Sequence, residues 1–297
     1  MKLGFIGFGE AAFEMAAGLK VHGLEKIAAY DPLWNHPVYG KLVRERAEQA
    51  QVKLENSLEC LFNLEEINIL IVAVPANKAY EVSETVKPYI KNELVYIDVS
   101  ASSPNVKQNI NDNIKEKGAY FVDAAMMGPL PVYKHKVPIL ASGKGTDAFI
   151  DFMSPYDMNI TKVSENPGDA SAVKLIRSIF MKGLPALLLE MLEAASEFNV
   201  EELVINSLSE TMNAKTFEET MNRLVTGTSI HALRRSIELE GSIEMLESSN
   251  LSSVMSRAAR DKLKLLAEIN LKEKFQGKTP ESWLDVITAC KEQDLIS

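Results

Sequence analysis

The stretch KLGFIGFGEAA, residues 2–12, decides the fold of this chain. Its first five residues form an apolar run typical of a buried β-strand, and a helical pattern follows from Ala12. Between them lies G-x-G-x-x-A, in which Gly7 allows a tight turn and Gly9 lets backbone approach a pyrophosphate. The small Ala12 lets the helix pack close to its strand, and the helix N-terminus presents free N–H groups to the phosphates. The predicted cofactor-binding loop therefore comprises Gly7, Phe8, Gly9, Glu10, Ala11 and Ala12.

A second strand pattern, residues 26–30, ends at Asp31, about twenty residues after the glycines. A carboxylate at this position can accept both hydroxyls of an adenosine ribose and would repel a 2′-phosphate, which favours NAD and leaves NADP possible. Asp31 and Pro32 could instead form only a turn, just as G-x-G-x-x-A alone could be an ordinary strand–helix turn. Glu10 can serve through its backbone N–H if its carboxylate points to solvent. Val74 and Pro75 end another apolar run and complete the predicted cofactor site, because ligands bind beyond the carboxyl ends of parallel strands.

Composition and charge limit the function. The 297 residues are enough for two domains, and the net charge of −9 argues against nucleic acid or an anionic membrane as partner. No apolar run has the length of a membrane span, and the strand at the N-terminus leaves no room for a signal peptide, so we expect a cytoplasmic protein. The two cysteines lie far apart and the four histidines lack metal-ligand spacing, so neither a disulfide nor a metal site is expected.

Strand and helix patterns alternate in the first half of the chain, which predicts an α/β domain over residues 1–165 with a Rossmann-type, doubly wound parallel sheet. Further strands are predicted at 67–74, 94–99, 120–124 and 137–141, and helices at 38–51, at 78–86 and from Ser103-Pro104. A long apolar helix, 169–198, then joins this domain to an all-α domain over residues 166–297, and Gly183 and Pro185 predict a kink in it. The remaining predicted helices are 201–208, 216–224, 228–246, 254–268 and 280–293, with caps at Thr216 and at Thr279-Pro280.

Three motifs give the chain a resemblance to the β-hydroxyacid dehydrogenases, which include 3-hydroxyisobutyrate dehydrogenase and 6-phosphogluconate dehydrogenase. DVSASSP, residues 98–104, resembles the family's D-x-S-T-x-x-P, and the resemblance implies that Ser100 hydrogen-bonds substrate near the nicotinamide. DAAMMGP, residues 123–129, resembles D-A-P-V-S-G-G, whose serine and glycine N–H groups hold a substrate carboxylate. Met127 replaces that serine, Gly128 keeps its N–H, and Pro129 has no N–H to donate.

The third motif is GDASAVK, residues 168–174, which matches the family's G-x-x-x-x-x-K. The resemblance implies that Lys174 is the general acid/base for a substrate hydroxyl and argues against the imine reductases, which replace this lysine. An ammonium on an apolar helix is also costly to bury, and desolvation would lower its pKa toward neutrality. A surface lysine whose stem lies along apolar groups is the alternative. Ser178, where the family usually has asparagine, lies one helical turn on and can hydrogen-bond substrate.

HALRR, residues 231–235, resembles the helical domain of a divergent, uncharacterised phosphogluconate dehydrogenase-like branch. His231, Arg234 and Arg235 share one helical turn, and an arginine pair suits a carboxylate or phosphate. The alternative is a solvated face paired with Glu238 and Glu240.

The predicted function is hydride transfer between NAD(P) and a small anionic hydroxy acid or related alcohol. Ser100 and Lys174 are the catalytic residues in this prediction; the substrate-binding residues are Met127, Gly128, Ser178, His231, Arg234 and Arg235. Oxidative decarboxylation of the phosphogluconate type is the alternative reaction. The replacements in the motifs also motivate a non-catalytic dinucleotide-binding or redox-sensing protein. The apolar helix 169–198 and the resemblance predict a homodimer.

Overall fold

A computed structural model describes residues 2–63 and 67–292 of the chain. The N-terminal part contains one sheet of eight strands in the order β3-β2-β1-β4-β5-β6-β7-β8. The strands are β1 Lys2–Ile6, β2 Ile27–Tyr30, β3 Lys53–Glu55, β4 Ile67–Val72, β5 Val95–Asp98, β6 Tyr120–Met126, β7 Ile139–Ser142 and β8 Ile160–Ser164. Because the chain leaves β1 for β2 on one side and returns beside β1 as β4, the order reverses there, and such a switch point opens a ligand crevice.

Helices cover both faces of the sheet because successive strand side chains point to opposite faces. They are α1 Glu10–Val21, α2 Gly40–Gln49, α3 Leu58–Asn63, α4 Ala79–Val86, α5 Pro104–Lys115, α6 Leu130–Tyr133 and α7 Thr146–Met153. Leu3 and Phe5 of β1 belong to a cluster shared with α1, α2 and α7. Ile6 belongs to a second cluster shared with α3, α4 and α5. The doubly wound α/β prediction is therefore confirmed.

Two features of the sheet differ from the prediction. β7 runs antiparallel to β6, with Met126 opposite Ile139, so the sheet is mostly rather than wholly parallel. The edge strands β3 and β8 were not predicted. β3 has three residues, and the three central residues of β8 are exposed, so neither carries a continuous apolar run.

The chain divides into two compact units, residues 1–179 and 180–297. The division falls inside α8, Asp169–Glu197, which continues without a break through Pro185. The predicted domain boundary at 165/166 lies just before this helix and stays a prediction, as does the kink.

The second unit is helical, as predicted, with α9 Glu201–Asn213, α10 Phe217–Ser248, α11 Val254–Glu268, α12 Leu271–Lys274 and α13 Trp283–Lys291. The two helices predicted at 216–224 and 228–246 are one helix, α10. The capping box at Thr216 is confirmed by its reciprocal bonds with Glu219. The predicted cap at Thr279-Pro280 is wrong, because Ser282 caps α13 by accepting the Leu284 N–H at 3.0 Å.

A buried carboxylate fastens α11 within this second unit. Glu190 of α8 accepts the backbone N–H groups of Met255 and Ser256, each at 2.8 Å, at the N-terminus of α11. Burial by itself raises the pKa of Glu190, and the hydrogen bonds from Ser256 and Met255 outweigh it, so the pKa is lowered. No helix in the described ranges is long and apolar enough to cross a membrane.

Candidate cofactor and active site

The glycine-rich loop leaves β1 at the switch point. Gly7 has φ +80°, and a Cβ on it would lie 2.4 Å from the carbonyl oxygen of Ala73, just after β4. The Gly7 N–H donates to Tyr30 O at 2.9 Å and the Ala73 N–H donates to Ile6 O at 2.8 Å. Gly7 is therefore required by the protein's own packing, which presses the loop against the segment that contains Val74 and Pro75.

Gly9 differs from Gly7, because a Cβ on it would meet no protein atom within 4 Å. It precedes α1, whose first N–H groups have no acceptors within the helix. Glu10, the first residue of α1, is exposed. Open space in front of a helix N-terminus fits the pyrophosphate of a dinucleotide, and the residues present therefore fit the implied cofactor.

Asp31 follows β2 and is buried against the same loop. One carboxylate oxygen accepts the Phe8 N–H at 2.7 Å and the other accepts the Leu33 N–H at 2.8 Å. A carboxylate has about four acceptor positions, so two remain for ribose hydroxyls. The Phe8 side chain is fully buried in the core, edge-on to Phe5, which leaves its backbone to contact a ligand.

Ser100 lies in the turn after β5, in a tight set of hydrogen bonds. Its N–H donates to Asp98 Oδ1 at 2.8 Å, and its hydroxyl is 2.8 Å from the hydroxyl of Ser102. Ser102 in turn donates to Ala76 O at 3.0 Å, just after β4. The predicted cap of α5 by Ser103 is confirmed, since its hydroxyl accepts the Val106 N–H at 3.4 Å. These bonds fix Ser100 at the carboxyl edge of the sheet. Strand β4 lies between β5, which Ser100 follows, and β1, which the glycine-rich loop follows.

Beneath this turn lies a buried charged network that the sequence analysis did not detect. Asp98, Asp123 and Ser142 stand opposite one another on β5, β6 and β7. Lys107 of α5 is fully buried and places its ammonium 3.2 Å from Asp98 Oδ2 and 3.2 Å from Asp123 Oδ1. Lys107 lies in the first turn of α5 and shares its buried face with Ile110 and Ile114, at helical spacing. That spacing is the signal in the sequence that could have revealed the burial of this lysine.

The start of α8 packs against this network, and Lys174, in its second turn, belongs to the same compact unit, residues 1–179. Gly168 has φ +99°, and a Cβ on it would lie 2.8 Å from Pro104 O at the start of α5. The Ser171 N–H and hydroxyl donate to Asp123 at 2.8 and 2.7 Å. Lys174 follows one helical turn later and is half-buried, as is Ser178 one turn further on.

The segment between β6 and β7 contains the altered substrate motif. The Met127 N–H donates to Pro138 O at 2.8 Å, so it is already used within the protein. Pro129 begins α6, and Gly128 lies beside the Tyr133 ring, which a Cβ would approach to 3.2 Å. The resemblance implied that backbone N–H groups of this segment bind substrate. Since the Met127 N–H is already used and Pro129 has none, the Gly128 N–H is the donor that remains.

His231, Arg234 and Arg235 lie on α10 in the second unit. Arg234 is exposed and pairs with Glu238 at 3.3 Å, as in the alternative of a solvated face. Arg235 donates to the Thr228 hydroxyl two turns earlier, and His231 is half-buried. Glu240, the other acid of that alternative, pairs instead with Arg260 and Lys264. Among the described residues there is no cluster of three or more potential metal ligands.

The switch-point loop, the helix N-terminus behind Gly9 and Asp31 define a dinucleotide-binding protein. Comparison with known sequences agrees: residues 2–148 match the family described as the NAD binding domain of 6-phosphogluconate dehydrogenase. Residues 195–266 match a domain of unknown function, DUF1932. A conserved hypothetical protein from Sinorhizobium meliloti 1021 is 30% identical, with 97% of this chain and 95% of that chain covered and a TM-score of 0.62. The chain belongs to the 6-phosphogluconate dehydrogenase-like family of NAD-binding proteins with a DUF1932 domain.

Two further solved structures are similar. One is a conserved protein of unknown function, described as similar to 3-hydroxyacid dehydrogenases; it is 30% identical over 94% of this chain and 100% of that one, with a TM-score of 0.62. The other is an imine reductase from Myxococcus stipitatus in complex with NAD+, 15% identical over 97% of this chain and 98% of that one, with a TM-score of 0.72. The second comparison concerns the fold alone.

Proposed function

We propose that this protein is an NAD(P)-dependent oxidoreductase that interconverts a small anionic hydroxy acid, or a related alcohol, and its carbonyl form. The observation that carries the proposal is the convergence of three segments within the first unit. These are the glycine-rich loop, the Ser100 turn, and the start of the helix that contains Lys174, held by Ser171 on Asp123.

In this proposal Lys174 exchanges a proton with the substrate hydroxyl, and the Ser100 hydroxyl orients the reacting carbon. The bound nicotinamide supplies the two-electron chemistry. Ser178 and the Gly128 N–H hold other oxygens of the substrate. His231, Arg234 and Arg235 are proposed to bind its anionic end, in which case Arg234 exchanges its Glu238 contact for the substrate.

The backbone N–H groups of Gly9, Glu10, Ala11 and Ala12 are proposed to hold the pyrophosphate, because those of Gly7 and Phe8 already donate to Tyr30 O and to Asp31. Val74 and Pro75 are proposed to lie beside them. Asp31 is proposed to accept the ribose hydroxyls, which favours NAD over NADP. Arg44 donates to Trp34 O at 2.5 Å, three residues after Asp31, and is a cation to test if NADP binds instead.

The central experiment compares Lys174→Ala with Lys182→Ala, a change at an exposed lysine of the same helix. We expect Lys174→Ala to lower kcat by about 10²- to 10⁴-fold, the usual contribution of a general acid/base, with the Kd for NADH unchanged. Lys182→Ala should turn over like wild type. Substrates are drawn from a panel of hydroxy acids and aldehydes with each cofactor, and normal turnover by Lys174→Ala would refute the mechanism.

Two alternatives have their own tests. Release of CO₂ together with cofactor reduction would identify oxidative decarboxylation. Four replacements motivate a non-catalytic dinucleotide sensor: Ala101, where D-x-S-T-x-x-P has threonine, and Met127, Pro129 and Ser178. Tight NADH binding without turnover across the panel would support that role.

We also propose a homodimer. Large apolar side chains of α8 and α9 are exposed in the single chain, among them Leu189 at 62% and Leu203 at 73%. Light scattering that finds only monomer at micromolar concentration would contradict this assembly.

A further inference from the structure

Lys107 has no part in the mechanism above, yet it is the buried cation at the centre of the site's supporting structure. We propose that Lys107 and Asp123 are positioning residues, which hold the Ser100 turn and the first turn of α8 in one fixed relation. The inference rests on the proposed function for its kinetic consequence, because Ser100 and Lys174 must meet the same substrate. Its structural consequence, coupling between the two segments, is measurable without any substrate.

The first step is the contact between Lys107 and the Ser100 turn. The ammonium donates to Asp98 O at 2.9 Å and to Ser100 O at 3.0 Å, so it binds the backbone carbonyls on both sides of Val99. Asp98 Oδ1 accepts the Ser100 N–H from the other direction at 2.8 Å. The carbonyl and N–H of Ser100 are therefore both fixed by groups that belong to this network.

The second step is the contact between Lys107 and α8. Asp123 Oδ1 lies 3.2 Å from the ammonium and also accepts the Ser171 hydroxyl at 2.7 Å. Its other oxygen accepts the Ser171 N–H at 2.8 Å. A continuous set of charge-assisted bonds thus runs from Ser100 through Lys107 and Asp123 to Ser171, one helical turn before Lys174.

Stability alone is a poor explanation for this arrangement. All three charged side chains are fully buried, and two carboxylates face one ammonium. Apolar residues of similar volume in place of a buried ion cluster are often neutral or even stabilising. What an apolar side chain cannot do is donate to two carbonyls, Asp98 O and Ser100 O, while its charge faces two carboxylates. The lysine therefore adds contacts of defined geometry. These contacts join two separate parts of the proposed active site, the Ser100 turn and the start of α8.

The test uses Lys107→Met, which keeps the length of the side chain and removes its charge. Lys115→Met, on the exposed part of the same helix, is the matched control. Amide hydrogen exchange should become faster in residues 98–102 and 169–174 together in Lys107→Met and remain unchanged in the control. Exchange that changes in 98–102 alone would overturn the inference, whether or not a substrate has been found.

Kinetics provide the second readout. Displacing a catalytic group by about 1 Å can lower the rate about 10²-fold, so we expect Lys107→Met to lower kcat by roughly that factor, with KM changed much less. The double variant Lys107→Met/Asp123→Asn removes one of the two unpaired carboxylates and should regain part of the lost Tm while kcat stays low. Recovery of kcat in step with Tm would mean that the network only stabilises the fold.

A separate variant covers the case in which Lys107→Met does not fold. Ser171→Ala removes the hydroxyl bond to Asp123, one of the two bonds that join Asp123 to α8, and keeps the bond from the Ser171 N–H. It should accelerate exchange in 169–174, leave 98–102 protected, and lower kcat with NADH binding intact. Unchanged exchange in 169–174 would refute the coupling. Absence of turnover in wild type would refute the proposed function instead, and the exchange data would still decide the coupling.

Discussion

Gly7 and Gly9 are two residues apart, yet alanine at each should damage the protein in a different way. A Cβ on Gly7 meets Ala73 O at 2.4 Å, and its φ is +80°. A Cβ on Gly9 meets nothing within 4 Å, and the backbone there, φ −73° and ψ −165°, is accessible to alanine. Gly7→Ala should therefore destabilise the fold. Gly9→Ala should leave the fold intact and weaken cofactor binding, because its methyl group would occupy space that the cofactor needs.

The magnitudes follow from the two geometries. Left-handed backbone costs a residue with a Cβ about 1–2 kcal/mol, and overpacking adds about 1–3 kcal/mol, so Gly7→Ala should lose roughly 2–5 kcal/mol. At about 2–4 °C per kcal/mol for a domain of this size, Tm should fall by roughly 4–20 °C. Gly9→Ala should leave Tm within a few degrees. A methyl group against the pyrophosphate costs about 1–3 kcal/mol, which raises the Kd for NADH roughly 5- to 150-fold.

Thermal unfolding of the apoprotein measures the first effect, and titration of NADH fluorescence measures the second. Gly23→Ala is not a suitable control, because its φ is +93°. Gly183→Ala is suitable, since that glycine is helical and has no neighbour within 4 Å of a Cβ. Equal Kd values for wild type and Gly9→Ala would refute the assignment of the open space to the pyrophosphate. An unchanged Tm in Gly7→Ala would refute the packing argument.

Three further predictions concern buried charge. Asp31→Asn should weaken NADH binding about tenfold or more, because the amide offers one acceptor oxygen where the carboxylate offers two; unchanged affinity would contradict the ribose role. Glu190→Gln should lower the free energy of unfolding by about 1–3 kcal/mol in chemical denaturation, because an amide NH₂ would face the N–H groups at the start of α11. Burial first, then His22 and Lys136, lower the pKa of His135 below 6.5, while Asp157 and the backbone of Tyr156 oppose the shift. The unfolded chain therefore binds the proton more readily, and stability should fall as pH drops below 6.5. The same acid titration of Tm in His135→Phe should be flatter, and an unchanged slope would contradict this reasoning.

The sequence was sufficient for the elements with strong local signals. The glycine-rich loop, the central strands and the Thr216 cap each depend on residues that lie close together in the chain. β3 and β8 were missed because edge strands are short or exposed and lack an apolar run. The antiparallel direction of β7 was missed for another reason. The direction of a strand depends on whether the connection before it re-enters the sheet at the end where it left or crosses to the other end.

Candidate site residues could be predicted where they belong to a sequence motif. They could not be predicted where their proposed role depends on tertiary contacts. Asp31 was identified by its spacing, but its bond to the Phe8 N–H depends on how β1 and β2 pair. The burial of Lys107 required Asp98 and Asp123 to stand opposite each other, which follows from the register of β5 and β6. The spacing of Lys107, Ile110 and Ile114 places the lysine on the buried face of α5, but the sheet register decides which carboxylates it meets.

The antiparallel strand β7 also has an evolutionary consequence. Because Met126 pairs with Ile139, the chain between them leaves and re-enters the sheet at the same edge. A parallel strand would require a crossover that carries the connection to the opposite edge. The twelve residues 127–138 are instead an insert beside the proposed site, anchored by Val137 in the core and by His135 against His22. Its exposed residues 131–134 can change in length and chemistry without a change of topology. Met127 and Pro129 stand in the same insert, so under the proposed function substrate preference can change there while the glycine-rich loop stays as it is.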